Sequence, residues 1–329
     1  MSVEPVDLDP AASSRTLEVV AAVLRDASGR VLLAQRPAGR EDAGLWEFPG
    51  GKREPGEAAA GALARELAEE LAIELDPRDT EPLIRVPQRQ PHRLLWLEAL
   101  QSPRWRGEPR ALEGQRWAWR LPETIDPLDL PAADRPILAA LLQPRLYWIT
   151  PESLCDEVQL AHLLQRAVAG GAQRVQLRAP SLSERAFERL ARAALPRCAE
   201  AGIELLLNAR SQSALALAAE LGCGAQLAQP LLMSLQQRPP LRPLGASCHD
   251  LGSLLRAEAL GCDFALLSPV NPTRTHPDAA ALGWQGFIQL RAATALPVYA
   301  LGGLGPADLG AARAAGAQGV AAIRGLFSG

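Results

Sequence analysis

At 329 residues the chain exceeds one typical domain, and its 48% hydrophobic and 22% charged residues suit packed cores rather than disorder. A net charge of −3 lacks the basic footprint that grips a polyanionic backbone, which excludes a nucleic-acid polymer as partner but not a single nucleotide. The N-terminal stretch shows no basic patch followed by an apolar run, and no segment reaches membrane-spanning length. The chain therefore reads as cytoplasmic, without a membrane partner.

In chain order, Leu17 to Leu24 reads as a strand, Asp26-Ala27-Ser28-Gly29 as a hairpin turn and Val31 to Ala34 as the returning strand. A loop runs on to Gly51. The alanine-rich run from Glu57 to Leu71, with Pro55-Gly56 ahead of it, predicts a helix. Strands are predicted around Leu94–Leu100 and Gln115–Arg120, and a helix over Ala133–Leu142. The composition changes near residues 143–146, and six of the seven tryptophans lie before residue 150. Two domains follow, 15–143 and 146–329. The junction Leu142-Gln143-Pro144-Arg145 is so short that they should touch.

Past the junction, apolar runs recur at Leu146–Ile149, Arg174–Leu177, Ile203–Leu207, Gln226–Leu227, Leu244–Ala246, Phe264–Leu267, Val298–Leu301 and Gly319–Ile323. Helix-forming stretches such as Leu160–Ala169, Glu184–Ala201, Ser211–Leu221 and Ala307–Ala315 separate most of them. Continuous apolar strands suit a parallel sheet covered on both faces, and eight of them predict a (β/α)8 TIM barrel. The fold class is thus α/β throughout. The five cysteines, Cys155, Cys198, Cys223, Cys248 and Cys262, show no C-x-x-C spacing and read as small buried residues. His92 and His162 read as surface residues.

Chemistry concentrates on the Glu57–Leu71 helix. Glu66, Glu69 and Glu70 stand at i, i+3 and i+4 and share a face, while Leu63, Leu67 and Leu71 form a stripe roughly 110° away. Such a helix buries its leucines against a sheet and aims three carboxylates into a cleft. Binding a divalent cation relieves their mutual repulsion, and Mg²⁺ takes hard oxygen ligands. Arg65 is suited to pair with Glu57 and lock the preceding loop. Three glutamates alone would equally describe a solvated acidic face. What decides against that is the fixed spacing Gly51-Lys-Arg-Glu-Pro-Gly-Glu57, seven residues, then Arg65-Glu66-Leu67-Ala68-Glu69-Glu70-Leu71-Ala72-Ile73.

That spacing resembles the Nudix box, whose enzymes cleave nucleoside diphosphate linkages within an α/β/α sandwich. The one departure is Ala72, where glycine would allow a left-handed helix exit. Leu45-Trp46-Glu47-Phe48-Pro49-Gly50-Gly51-Lys52, Gln35-Arg36, Trp105-Arg-Gly-Glu-Pro109 and Glu113-Gly114-Gln115 resemble the MutT branch, which clears 8-oxo-dGTP from the nucleotide pool and so limits DNA mutation. The resemblance implies that Arg36, Glu47, Phe48, Pro49, Gly50 and Asp134 meet the nucleotide. It implies Mg²⁺, with Mn²⁺ as a substitute, on the Gly50 carbonyl, Glu66, Glu69, Glu70 and Glu113. Glu66 is the candidate general base, with Glu69 and Glu113 sharing the catalytic work. Where MutT carries a base-reading asparagine, Asp134 stands here. It could read a base edge when protonated, as an amide does, or simply cap the helix that follows.

Residues 146–329 resemble the thiamine phosphate synthase/TenI barrels through Leu146-Tyr-Trp-Ile-Thr-Pro151, Val175-Gln-Leu-Arg178, Leu207-Asn-Ala-Arg210, Gly245-Ala-Ser-Cys-His249, Ser268-Pro-Val-Asn-Pro-Thr-Arg-Thr275 and Ala300-Leu-Gly-Gly303. Against the synthase pattern, Ala209 and Leu231 replace the two Mg²⁺-binding aspartates and His276 replaces a lysine, which argues against synthase chemistry. The resemblance offers His249 as the proton-transfer group of a TenI-like thiazole tautomerase, or as an ordinary loop histidine. It offers Gly302, Gly303, Arg324 and Gly325 as phosphate binders, so a phosphorylated thiazole is a candidate ligand. The barrel could also be a non-catalytic module that binds such a ligand. The sequence leaves the oligomeric state open.

Overall fold

The computed structural model describes residues 17–39, 41–90, 93–273 and 280–323. Strand β1 (Leu17–Leu24) turns into β2 (Val31–Gln35) through Asp26–Gly29, where Gly29 N–H donates to the Asp26 carbonyl at 2.9 Å. The strands β3 (Trp46–Glu47), β4 (Glu81–Gln90), β5 (Arg93–Ser102) and β6 (Trp117–Arg120) complete two three-stranded sheets, ordered β1-β5-β4 and β3-β2-β6. β1 runs parallel to β5, and β4 antiparallel to it. The strand β4 is absent from the sequence reading because Pro82 and Pro87 interrupt it. Proline is tolerated in β4 because it is the outer strand, where an N–H facing away from β5 has no ladder partner to lose.

Both faces of β1 are buried, in alternation. Val20, Ala22 and Leu24 join Leu63, Leu67 and Leu71 of helix α1 (Ala59–Leu71), while Ala21 and Val23 join Ile137 and Leu138 of helix α2 (Arg135–Leu141). This is the expected α/β/α sandwich. α1 starts two residues later than predicted, because Glu57 turns its carboxylate back onto Glu54 N–H (3.0 Å) and Arg65 instead of entering the helix. Ala72 takes the left-handed conformation itself (φ 55°), so the helix exit is not displaced by the missing glycine.

Strands β7 (Leu146–Ile149), β8 (Arg174–Leu177), β9 (Glu204–Ala209), β10 (Gly224–Leu227), β11 (Leu244–Cys248), β12 (Phe264–Leu267), β13 (Val298–Leu301) and β14 (Gly319–Ala322) close into a parallel barrel. Around it lie α3 (Glu157–Ala169), α4 (Glu184–Glu200), α5 (Gln212–Leu221), α6 (Gln229–Ser234), α7 (Leu251–Leu260), α8 (Gly283–Arg291) and α9 (Leu309–Ala314). α6 to α8 have no counterpart in the sequence reading. The interior is filled by Tyr147, Leu206, Phe264 and Tyr299. Four cysteines are buried as expected, but Cys155 is exposed, since it sits in the loop before α3. His162 is exposed on α3, whereas His92 lies outside the described residues. No helix among the described residues is long and apolar enough to cross a membrane.

Because all eight strands are parallel, their C-terminal ends share one mouth of the barrel. The junction and the Nudix-box sheets meet the opposite, N-terminal end, where Tyr299 hydroxyl donates to the Pro144 carbonyl at 2.6 Å. The two halves touch, as the short junction demands.

Candidate active site

The loop ahead of α1 is laid against β1 by two hydrogen bonds, Ala22 N–H to the Pro49 carbonyl (2.7 Å) and Val20 N–H to the Gly51 carbonyl (2.9 Å). Alternation along extended backbone turns the intervening Gly50 carbonyl away from β1. Only glycine fits here, because a Cβ on Gly50 would stand 2.1 Å from the Val20 oxygen. A Cβ on Gly51 would lie 2.3 Å from a Glu66 carboxylate oxygen, so that carboxylate is seated directly over the bare loop.

Arg65 organises the acidic groups. Its guanidinium meets Glu57 at 3.1 Å, Glu66 at 2.9 Å and Glu69 at 3.4 Å, and donates to the Lys52 carbonyl at 3.0 Å. The hydrogen bond from Arg65 holds the Glu57 carboxyl below the usual carboxylate range, and the same partners raise Arg65. Glu66 is partly buried and Glu69 is exposed. The helix therefore does not offer three equivalent carboxylates. Among the described residues no three His, Cys, Asp or Glu side chains converge closely enough to hold a metal ion. The same Arg65 Nη1 meets both the Glu66 and the Glu69 carboxylates. In kind the donors fit a hard divalent cation: carboxylate oxygens on one helix face beside a carbonyl released by its strand.

Glu113 lies in an exposed loop that is tied to the C-terminal end of α1. Gln115, 8% exposed, bridges them by accepting from Glu113 N–H (3.0 Å) and donating to the Glu70 carbonyl (3.0 Å). Sequence reasoning gave Gln115 no role, although the Glu-Gly-Gln motif contains it.

A second group forms beside the loop. Arg36 pairs with Glu47, and the buried Asp134 accepts the Phe48 backbone N–H. Asp134 stands at the N-cap position of α2 but makes no side-chain capping bond there. Burial, then the nearby Glu47 charge, push its carboxyl up to about 8, against an ordinary 3.8.

At the C-terminal mouth of the barrel, His249 Nδ1 stands 2.9 Å from the Ser268 carbonyl and 3.2 Å from its hydroxyl. Gly302 and Gly303 take positive φ (113° and 64°) and pack bare Cα atoms against Pro269 and Asn271. Arg178, ion-paired to Glu152 at 2.7 Å, keeps its Nη1 buried with no hydrogen-bond partner among the described residues. Ala209 and Leu231 are buried apolar groups. Gln229 donates to Asp250 at 3.1 Å, while Asp250 caps α7. Residues 274–279, including His276, and Arg324 and Gly325 lie outside the described residues.

Two family models match this chain: a NUDIX domain over residues 20–140, and thiamine monophosphate synthase over residues 146–326, more than half of its length. The chain belongs to both families. Its Nudix domain is 42% identical over 132 residues to the CTP pyrophosphohydrolase of Escherichia coli (strain K12), covering 40% of this chain and 95% of that protein. Its synthase-family barrel is 38% identical over 185 residues to the thiamine-phosphate synthase of Azorhizobium caulinodans, covering 55% of this chain and 86% of that protein. Similar solved structures are the Escherichia coli ORF135 protein (41% identity, TM-score 0.35, 39% of this chain and 90% of that one) and a Pyrococcus furiosus thiamine phosphate pyrophosphorylase (24%, 0.46, 56% and 88%).

Proposed function

We propose that the Nudix domain is a Mg²⁺-dependent nucleoside triphosphate pyrophosphohydrolase that converts 8-oxo-dGTP to 8-oxo-dGMP and pyrophosphate. The observation that carries this reading is the Glu66 carboxylate seated over Gly51 and linked through Arg65 to Glu57 and Glu69. Gly50, Glu66, Glu69, Glu70 and Glu113 would hold Mg²⁺ or Mn²⁺. The bound ion supplies neutralisation of the phosphate oxygens and acidification of a water. Glu66 takes the proton of the attacking water at a carboxylate oxygen. Arg65 holds that oxygen and fixes the loop through Glu57. Gln115 keeps the Glu113 loop against the helix, and Asp134 with Arg36 and Glu47 receives the base.

A second substrate reading rests on the similarity to a CTP pyrophosphohydrolase and on Asp134. A protonated carboxyl donates one hydrogen bond and accepts another, and so pairs with N3 and the amino group of cytosine as well as with O6 and N1–H of 8-oxoguanine. A pyrophosphate-release screen on the full chain with Mg²⁺ decides between them. It compares 8-oxo-dGTP, dGTP, CTP and thiamine-related diphosphates. Turnover of 8-oxo-dGTP no faster than of dGTP removes the first reading, and preference for CTP selects the second.

For the barrel we infer a phosphorylated-ligand site without synthase turnover. Ala209 and Leu231 supply no side-chain oxygen for a metal ion, so the residues present do not fit Mg²⁺, while Arg178 Nη1, buried without a hydrogen-bond partner among the described residues, invites an anion. His249 is the candidate proton carrier if the barrel has tautomerase activity. Formation of thiamine phosphate by the full chain would overturn this reading. Absence of both tautomerase turnover and thermal stabilisation by thiazole phosphate would remove the ligand assignment.

A further inference from the structure

The outer edge of the β1-β5-β4 sheet is met by the N-terminal end of the barrel. Arg291, at the C-terminal end of α8, is 4% exposed, and its guanidinium donates to three main-chain carbonyls: Gly316 at 3.0 Å, Thr294 at 2.8 Å and, across the junction, Arg85 of β4 at 2.9 Å, with the Glu258 charge nearby. Burial lowers it to about 10. Arg313, at the end of α9, donates to Ala317 and Gln318 carbonyls at 3.1 Å and crosses to the carbonyl of Pro82. Gln318, 4% exposed, donates to the carbonyls of Ala140 and Gln143 at 3.1 Å each and holds the last turn of α2. Arg174, 2% exposed beneath the barrel aromatics, donates to Gln143 Oε1 at 2.6 Å. Ala295 packs on the core that contains Leu83, Ile84 and Val86 of β4.

A tethered neighbour would meet the sheet through exposed side chains. Here donors from three barrel positions, Arg291, Arg313 and Gln318, instead reach main-chain carbonyls, and Arg174 reaches the Gln143 side chain. An edge strand with open carbonyls is a site for unwanted pairing, and a guanidinium fully withdrawn from water is costly unless its donors are used. Each half thus satisfies groups that the other would leave unpaired.

We propose that the N-terminal end of the barrel is the fixed cap of the Nudix sheet's outer strand, so that the two domains unfold as one cooperative unit. This role is independent of whether the barrel binds or turns over any ligand. It also places the barrel's mouth at the end away from the nucleotide site.

The test uses full-length protein in three forms, wild type, Arg291→Met and Arg313→Met, followed by thermal unfolding and amide hydrogen exchange. Wild type is expected to melt in one transition. Each variant should exchange the amides of Leu83 to Val86 at least tenfold faster, and the amides of Ala265 and Tyr299 in the barrel should accelerate with them, as one cooperative unit requires. Arg313→Met keeps the experiment decisive if Arg291→Met does not fold, because Arg313 is only partly buried. Two separate transitions in wild type would overturn the proposal. So would unchanged β4 exchange in the folded variants, or acceleration confined to the barrel.

Discussion

Replacing Asp134 with asparagine removes one buried ionisable group while keeping its shape and its ability to accept the Phe48 N–H. The folded carboxyl titrates at about 8 and the unfolded one near 3.8. Below pH 4 both forms are protonated and folding meets no penalty. Between these values the unfolded chain ionises while the native carboxyl stays neutral, so stability falls as pH rises, and the loss levels off above the folded value. At ~1.4 kcal/mol per pH unit this window corresponds to a loss on the order of 6 kcal/mol. Urea unfolding of wild type and Asp134→Asn from pH 5 to 9 isolates it. The variant should gain on wild type steadily as pH rises to 8, and then hold its advantage. A difference that stays constant across the range would refute the buried, protonated Asp134. In the same range, kcat/KM for a base that needs the carboxyl proton should fall above pH 8 in wild type and stay flat in the variant.

Glu70→Gln should abolish Mg²⁺-dependent pyrophosphate release and leave the circular dichroism and melting temperature unchanged; full turnover would remove Glu70 from the metal site. Gly51→Ala would push a methyl group into the Glu66 carboxylate, now 2.3 Å from that point. The carboxylate can swing away, so the fold should persist while kcat drops on the order of 100-fold, as measured by steady-state kinetics. Ala72→Gly relieves a left-handed alanine (φ 55°). It should stabilise the protein by about 1 kcal/mol in chemical denaturation without changing KM.

The catalytic helix was legible because its information is local. Glu66, Glu69 and Glu70 share a face by periodicity, and the leucine stripe goes to the sheet for the same reason. The barrel strands were legible because parallel strands buried on both faces are short apolar runs, and six of them begin where the sequence places them. β4 was hidden by Pro82 and Pro87, since tolerance of proline depends on being at an edge, and edge position is a property of the assembled sheet. Length does not explain why α6 to α8 went unseen, since α7 has the 10 residues of α5 and α6 the 6 residues of α9.

The candidate site divides the same way. The identity and spacing of the carboxylates, the pairing of Arg65 with Glu57, and the apolar Ala209 and Leu231 of the barrel all follow from residue order. The unequal exposure of Glu66 and Glu69, the bridging of Gln115 to Glu70 and the neutral Asp134 depend on which groups burial brings together. The sequence by itself determined the chemistry available to this protein: a helix of carboxylates in one domain and, behind it, a barrel that carries the apolar Ala209 and Leu231. Only the tertiary structure decided that the barrel meets the Nudix sheet's edge through buried arginines and glutamine, because those partners lie up to 231 residues apart and share nothing but the space between them.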